Sequence, residues 1–294
     1  MSCKDISKLT DLYSSTVKDN LKEIEVIVKQ LQIIDTIPIE QFSNIFNKTS
    51  HNLVDKWNRG QKSLRTEIAF KIIPNYPTTV LKTSLTLDAM INLLDDILDE
   101  LMEKEERGIY IIELIRVLAI FNQQNISTEV QNKVSEYFNK ILCIAITEII
   151  YKEKIKKSKD FNQRLHNSIQ CYNYKSMDMD IFIELPLIEV FGNAKDMDTM
   201  VALGRVHRAV CIIKKDFKDL KHDIEQNTET PIVVLSEVGK EELMQYILQM
   251  MEFYKSESKK IRKKITDKNL QEIANKFQEL ILKEIAVFKE ENYE

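Results

Sequence analysis

Apolar residues recur three and four positions apart through most of the chain, the period that gathers them on one face of an α-helix. The pattern predicts a first helix from about Asp5 to Ile33. It ends before Ile37-Pro38, because a residue preceding proline is steered out of the helical region. A shorter helix is expected around Asn52–Trp57, then a turn at Arg59-Gly60 and a helix from about Gln61 to Ile72. Pro74-Asn75-Tyr76-Pro77 breaks the pattern. A long helix is expected from Thr79 to about Glu105, a break at Arg107-Gly108, and another helix to about Phe121. Thr128 with Gln131 has the spacing of a capping box, for a helix that reaches about Tyr151 and ends in the basic stretch Lys152–Lys159. Beyond it the pattern predicts a helical region from about Asp160 to Ile183, interrupted near Pro186, and a second long helix over 194–226. Asn227–Pro231 reads as a polar loop, and helices over about Glu237–Arg262 and Asp267–Glu290 close the chain.

No linker rich in Gly, Pro or Ser and no internal repeat divides this series. The expected architecture is therefore one all-α domain over residues 1–294, built of about ten or more helices. Composition agrees. Five glycines and five prolines in 294 residues are too few for the many turns of a sheet protein. Hydrophobic residues at 44% can fill a large core, and charged residues at 30% can cover it. A net charge of -4 with both signs interspersed excludes a general nucleic-acid binder. Cys3, Cys143, Cys171 and Cys211 have no metal-ligand spacing and form no close pair, and no signal peptide is visible, so reduced thiols in a cytoplasmic protein are expected. No apolar run is long enough to span a bilayer, so membrane contact is peripheral at most; the basic run Lys255–Lys264 could touch a membrane surface, but a solvated helix face is the better reading.

Chemistry concentrates on two of the predicted helices. Asp95-Asp96-Ile97-Leu98-Asp99 follows the apolar run Met90-Ile91-Asn92-Leu93-Leu94. Asp95 and Asp99 are four apart, so they share a helix face and repel each other unless a cation or water intervenes. Magnesium takes hard oxygen ligands and shares its shell with substrate phosphates. An isolated motif of this kind is more often a solvated acidic face, but the apolar flanks mark a helix packed on much of its circumference. On the second helix Asp216, Asp219 and Asp223 share one face, with Lys214 and Lys215 just before them. Carboxylates from separate helices are one way bundles build metal sites.

Arg59-Gly60-Gln61-Lys62-Ser63-Leu64-Arg65 enters a helix start, where free backbone N–H groups and the dipole favour anions. Lys62 and Arg65 lie one turn apart, a point charge and a planar fork suited to phosphate oxygens. His166, His207 and His222 lack metal-ligand spacing and read as surface or internally satisfied helix residues.

Basic turn, first acidic helix and second acidic helix, in that order, resemble the trans-isoprenyl diphosphate synthase (polyprenyl synthetase) family, of the class I isoprenoid synthase fold. Gly60–Arg65 stands for its basic turn, Asp95–Asp99 for its first DDxxD and Lys215-Asp216-Phe217-Lys218-Asp219 for its second. Tyr172-Asn173-Tyr174-Lys175-Ser176 resembles its Lys-Thr step. The resemblance implies up to three magnesium ions bound with diphosphate by Asp95 and Asp99, with Asp96 in support, and by Asp216 and Asp219, with Asp223 alongside. It implies Lys62 and Arg65 on isopentenyl diphosphate, Lys175 on an allylic diphosphate, and a homodimer. Leu87, Met90 and Ile91 would line the prenyl cavity or simply pack the core.

Departures from the family pattern keep three functions open. Lys215 replaces the first aspartate of the second motif, and protonated it cannot ligate magnesium, though it can substitute for one cation's charge. Cys211-Ile212 stands for the usual Phe-Gln pair, Asp88 for a histidine seven residues before the first motif, and Lys104 and Arg107 are the nearest match to the paired arginines. The leading expectation is a magnesium-dependent prenyltransferase that makes a short isoprenyl diphosphate. The others are a class I terpene synthase acting on one allylic diphosphate, and a catalytically inactive regulatory partner of a synthase.

Overall fold

The protein is known from a computed structural model that describes residues 65–98, 111, 128–192 and 194–293. The expected helices Asp5–Ile33 and Asn52–Trp57, the turn at Arg59-Gly60, and the stretch from Asp99 to Phe121 apart from Ile111 lie outside the described residues. All regular structure in the described residues is helical, in the order α1 (Arg65–Ile72), α2 (Thr78–Leu98), α3 (Thr128–Lys157), α4 (Phe161–Lys175), a 3₁₀ turn (Ser176–Met179), α5 (Asp180–Phe191), α6 (Met197–Glu225), α7 (Pro231–Ser236), α8 (Lys240–Lys264) and α9 (Lys268–Tyr293). The all-α expectation holds over these residues. Among them no helix is long and apolar enough to cross a membrane.

Contacts divide the chain into two units, residues 1–71 with 81–125, and residues 72–80 with 126–294. In the first unit α2 presents an apolar side, with Leu85, Leu87, Met90 and Ile91 buried. Asp88 is fully buried on the same helix, and its carboxylate meets the start of α1.

The second unit is organised around α6, which packs against α4, the 3₁₀ turn, α5, α7, α8 and α9. Its buried residues run from Met200 to Asp216 over several turns, which is why it has neighbours on most sides. Each large aliphatic side chain so buried contributes about 1.5–3 kcal/mol. Gly204 allows the closest approach: a β-carbon there would sit 1.8 Å from Ile183 Cδ1 on α5. Helix α3 lies mainly along α4.

Local chemistry fixes the helix ends. Asp160 accepts the Gln163 N–H at 2.8 Å and caps α4. Thr230 accepts from Val233 N–H, with Pro231 as first residue of α7. Gly192 ends α5 at φ 66°. Asp196, at φ 75°, accepts from Thr266 N–H (2.6 Å), Thr266 Oγ1 (2.8 Å) and Asp267 N–H (3.0 Å), clasping the α5–α6 connection to the α8–α9 connection.

Three features differ from the sequence expectation, the first being α7 (Pro231–Ser236), a short helix where none was expected before about Glu237. Helix α3 does not stop at Tyr151 but runs through the basic stretch to Lys157. Lys152 pairs with Glu148, and Lys156 and Lys157 with Glu153, while cations suit a helix C-terminus. Pro186 interrupts nothing; it lies inside α5, and the break falls instead at Ser176–Met179. Arginines of α6 hold that break: Arg208 grips Asp178 (Nη2–Oδ2 2.7 Å), and Arg205 grips the fully buried Asp180 through two 2.5 Å bonds.

Candidate functional site

The second acidic face lies on α6, as the periodicity implied. Asp216 is buried, Asp219 and Asp223 are half-buried, and Lys215 is exposed. Burial pushes the Asp223 carboxyl above the usual range, and the charges of Asp216 and Asp219 add to the shift. Lys215 and His222 oppose that shift only in part.

Lys175 ends α4, and its ammonium reaches α6. Its Nζ lies 3.7 Å from Asp216 Oδ2 and 3.0 Å from Glu148 Oε1 of α3. Burial disfavours its charge, but the Asp216 and Glu148 carboxylates outweigh burial and hold the ammonium above the usual lysine range. Glu148 responds in reverse. Burial pushes its carboxyl up, and Lys175 and Lys152 bring it below the usual range. Tyr172, three residues before Lys175 and fully buried, donates its hydroxyl to Asp216 Oδ2 at 2.9 Å. Burial raises the Asp216 carboxyl, against the Lys175 charge and the Tyr172 bond. Cys171 sits beside this network, its thiol pushed up to about 12 by burial and so kept inert.

Tyr172 and Glu148 are members that the sequence reading did not single out. Tyr172 belongs to the quoted run around Lys175, and only the position of α6 gives its hydroxyl a partner. Glu148 and Lys152 show the i, i+4 spacing of a helix ion pair, a common pattern that points to no site by itself.

In the first unit, Arg65 is where the chain supplies its own anion. Its N–H and its Nη1 approach Asp88 Oδ1 at 3.2 and 3.3 Å, and Thr66 donates N–H and Oγ1 to Asp88 Oδ2 at 2.8 and 2.6 Å. Asn92 Oδ1 accepts a further bond from Arg65 Nη1 at 3.4 Å. The Asp88 carboxylate thus caps the first N–H groups of α1 and faces its positive dipole end, as an external anion would. Arg65 is 4% exposed, inside the fold rather than on a rim. Asp95 lies on α2 three residues beyond Asn92; Lys62, Asp99 and the side chains of Asp95 and Asp96 lie outside what is described.

Among the described residues no group of three or more His, Cys, Asp or Glu side chains is arranged to hold a metal ion. No family model, no curated protein and no solved structure matches the chain.

Proposed function

We propose that this chain is a magnesium-dependent prenyltransferase of the isoprenyl diphosphate synthase type, which condenses an allylic diphosphate with isopentenyl diphosphate. The observation that carries the reading is the approach of Lys175 to Asp216. The resemblance assigns both residues to the allylic diphosphate and its metals, and they lie 3.7 Å apart on neighbouring helices. By the resemblance, Asp95 and Asp99 and, separately, Asp216 and Asp219 would be magnesium ligands, and the metal when bound neutralises the departing diphosphate.

The chain's own groups do the rest. Lys175 is a cationic donor for diphosphate oxygens, its ammonium held in this structure by Glu148 and Asp216, and its raised proton affinity keeps it cationic at neutral pH. Tyr172 fixes the Asp216 carboxylate and fills one of its acceptor positions. Lys62 would hold the second diphosphate. The burial of Leu87, Met90 and Ile91 on α2 favours a core role for each.

One observation favours the second reading, a class I terpene synthase that ionises one allylic diphosphate. Arg65, assigned by resemblance to isopentenyl diphosphate, is buried against Asp88 and Asn92. Pyrophosphate release from geranyl diphosphate with magnesium separates the two. The proposal expects release that requires isopentenyl diphosphate and is abolished by Asp95→Ala with helical circular dichroism unchanged. Release without isopentenyl diphosphate would select the terpene synthase, and full release by a folded Asp95→Ala protein would overturn the site.

A further inference from the structure

Glu148 stands between two lysines. Its Oε1 is 3.0 Å from Lys175 Nζ and 3.8 Å from Lys152 Nζ. Lys152 lies one turn along the same helix and also donates to the Glu229 carbonyl at 2.8 Å. The three side chains are 17%, 23% and 18% exposed for Lys175, Glu148 and Lys152, so the trio meets solvent at a rim, while Asp216 behind it is buried.

We propose that Glu148 is an internal gate on the Lys175 anion site: it holds the Lys175 ammonium before a ligand arrives and transfers to Lys152 when a diphosphate takes its place. The inference rests on the reading of Lys175 as a diphosphate ligand and adds a regulator to that site.

Two carboxylates already occupy the Lys175 ammonium, so its donors are engaged before an anion arrives. A diphosphate that binds Lys175 must displace one of them. Asp216 is anchored by the Tyr172 hydroxyl and is buried, so moving it would break a buried charged hydrogen bond. Glu148 has another cation within reach and needs only a change of its own side-chain torsions. The exchange gives up the Lys175 contact and tightens the Lys152 pair already present at 3.8 Å. The gate therefore weakens anion binding without abolishing it, and it discriminates against singly charged anions that cannot compete with a carboxylate.

Calorimetric titration of the full chain with inorganic pyrophosphate in the presence of magnesium tests the gate. Glu148→Gln removes the competing charge and is expected to bind about tenfold tighter than the wild type. Lys152→Met removes the alternative partner, so it is expected to bind several-fold more weakly. General damage would weaken both, so the opposite signs identify the gate. Glu153→Gln, an exposed acid on the same helix, is expected to bind as the wild type does, which excludes a bulk-charge effect. Lys175→Met is expected to abolish binding. If Lys175→Met loses binding while Glu148→Gln binds no tighter, or Lys152→Met no weaker, the gate is overturned and the diphosphate reading stands. If Lys175→Met binds like the wild type, or neither the wild type nor Glu148→Gln binds, the reading of Lys175 fails and the gate with it.

Discussion

The Tyr172 hydroxyl donates to Asp216 Oδ2 across 2.9 Å, joining the helix that ends in Lys175 to the helix that carries the second acidic face. The bond has a buried donor on one side and a buried carboxylate on the other. It therefore sets how far Asp216 can move toward or away from the Lys175 ammonium.

Tyr172→Phe keeps the ring and deletes the bond. Hydrogen bonds to charged groups contribute about 1.5–3 kcal/mol, and the expected loss of stability lies in that range. Denaturant titration with an unchanged slope checks it. A midpoint equal to that of the wild type would show that the hydroxyl holds nothing.

Gly204→Ala brings a β-carbon to within 1.8 Å of Ile183 Cδ1, where the side chain is fully buried. Overpacking of this kind costs about 1–3 kcal/mol. Ile183→Val deletes the obstructing methyl, so the double variant should recover part of the loss. Additive losses in a thermal melt would show that the two positions do not meet.

Asp180 is fully buried and receives two bonds from Arg205 and one from Lys140 at 3.2 Å. Removing one partner of a buried pair is strongly destabilising, but Arg205 and Lys140 are 34% and 36% exposed, so water screens what remains. Asp180→Ala is expected to cost about 1–3 kcal/mol by equilibrium unfolding. An unfolding curve superimposed on that of the wild type would remove the clamp from the account.

The helical architecture was legible because apolar residues such as Val206, Ala209, Val210 and Ile213 repeat at the spacing of one helix face. The end of α3 was not legible, since a run of lysines reads as a stop until Glu148 and Glu153 are seen to pair with them. Pro186 suggested a break that tertiary packing placed ten residues earlier, at the turn clamped by Arg205 and Arg208. Lys175 and Asp216 were readable as motif members, and the structure brings them together. The Asp88–Arg65 bond was not readable, because twenty-three residues separate a carboxylate from the helix start that it caps. Glu148 and Tyr172 were missed for the same reason: their meaning depends on which helices become neighbours.

His207 gives the fold a pH dependence of known sign. Its imidazole is buried near Cys211 Sγ and the Phe277 ring, with Glu284, Arg208 and Lys214 as the surrounding charges. Burial, reinforced by Arg208 and Lys214, lowers its pKa from 6.5 to about 4. The unfolded chain takes up the proton near pH 6.5 and the folded chain only near 4. The stability from a neutral His207 is therefore complete above pH 6.5 and lost as pH falls toward 4, by about 3 kcal/mol in all. In unfolding curves taken as pH falls across that interval, the wild type should lose about 3 kcal/mol of stability that His207→Leu does not lose. Parallel curves would place the titration elsewhere.

The most direct measurement of the central claim is mass spectrometry of products after incubation of the chain with magnesium and dimethylallyl, geranyl, farnesyl or geranylgeranyl diphosphate, each with and without isopentenyl diphosphate. The account predicts an isoprenyl diphosphate longer by one or more five-carbon units, formed only when isopentenyl diphosphate is present and lost in Asp95→Ala. Hydrocarbons or alcohols from a single allylic substrate, or no product from any of them, would contradict it.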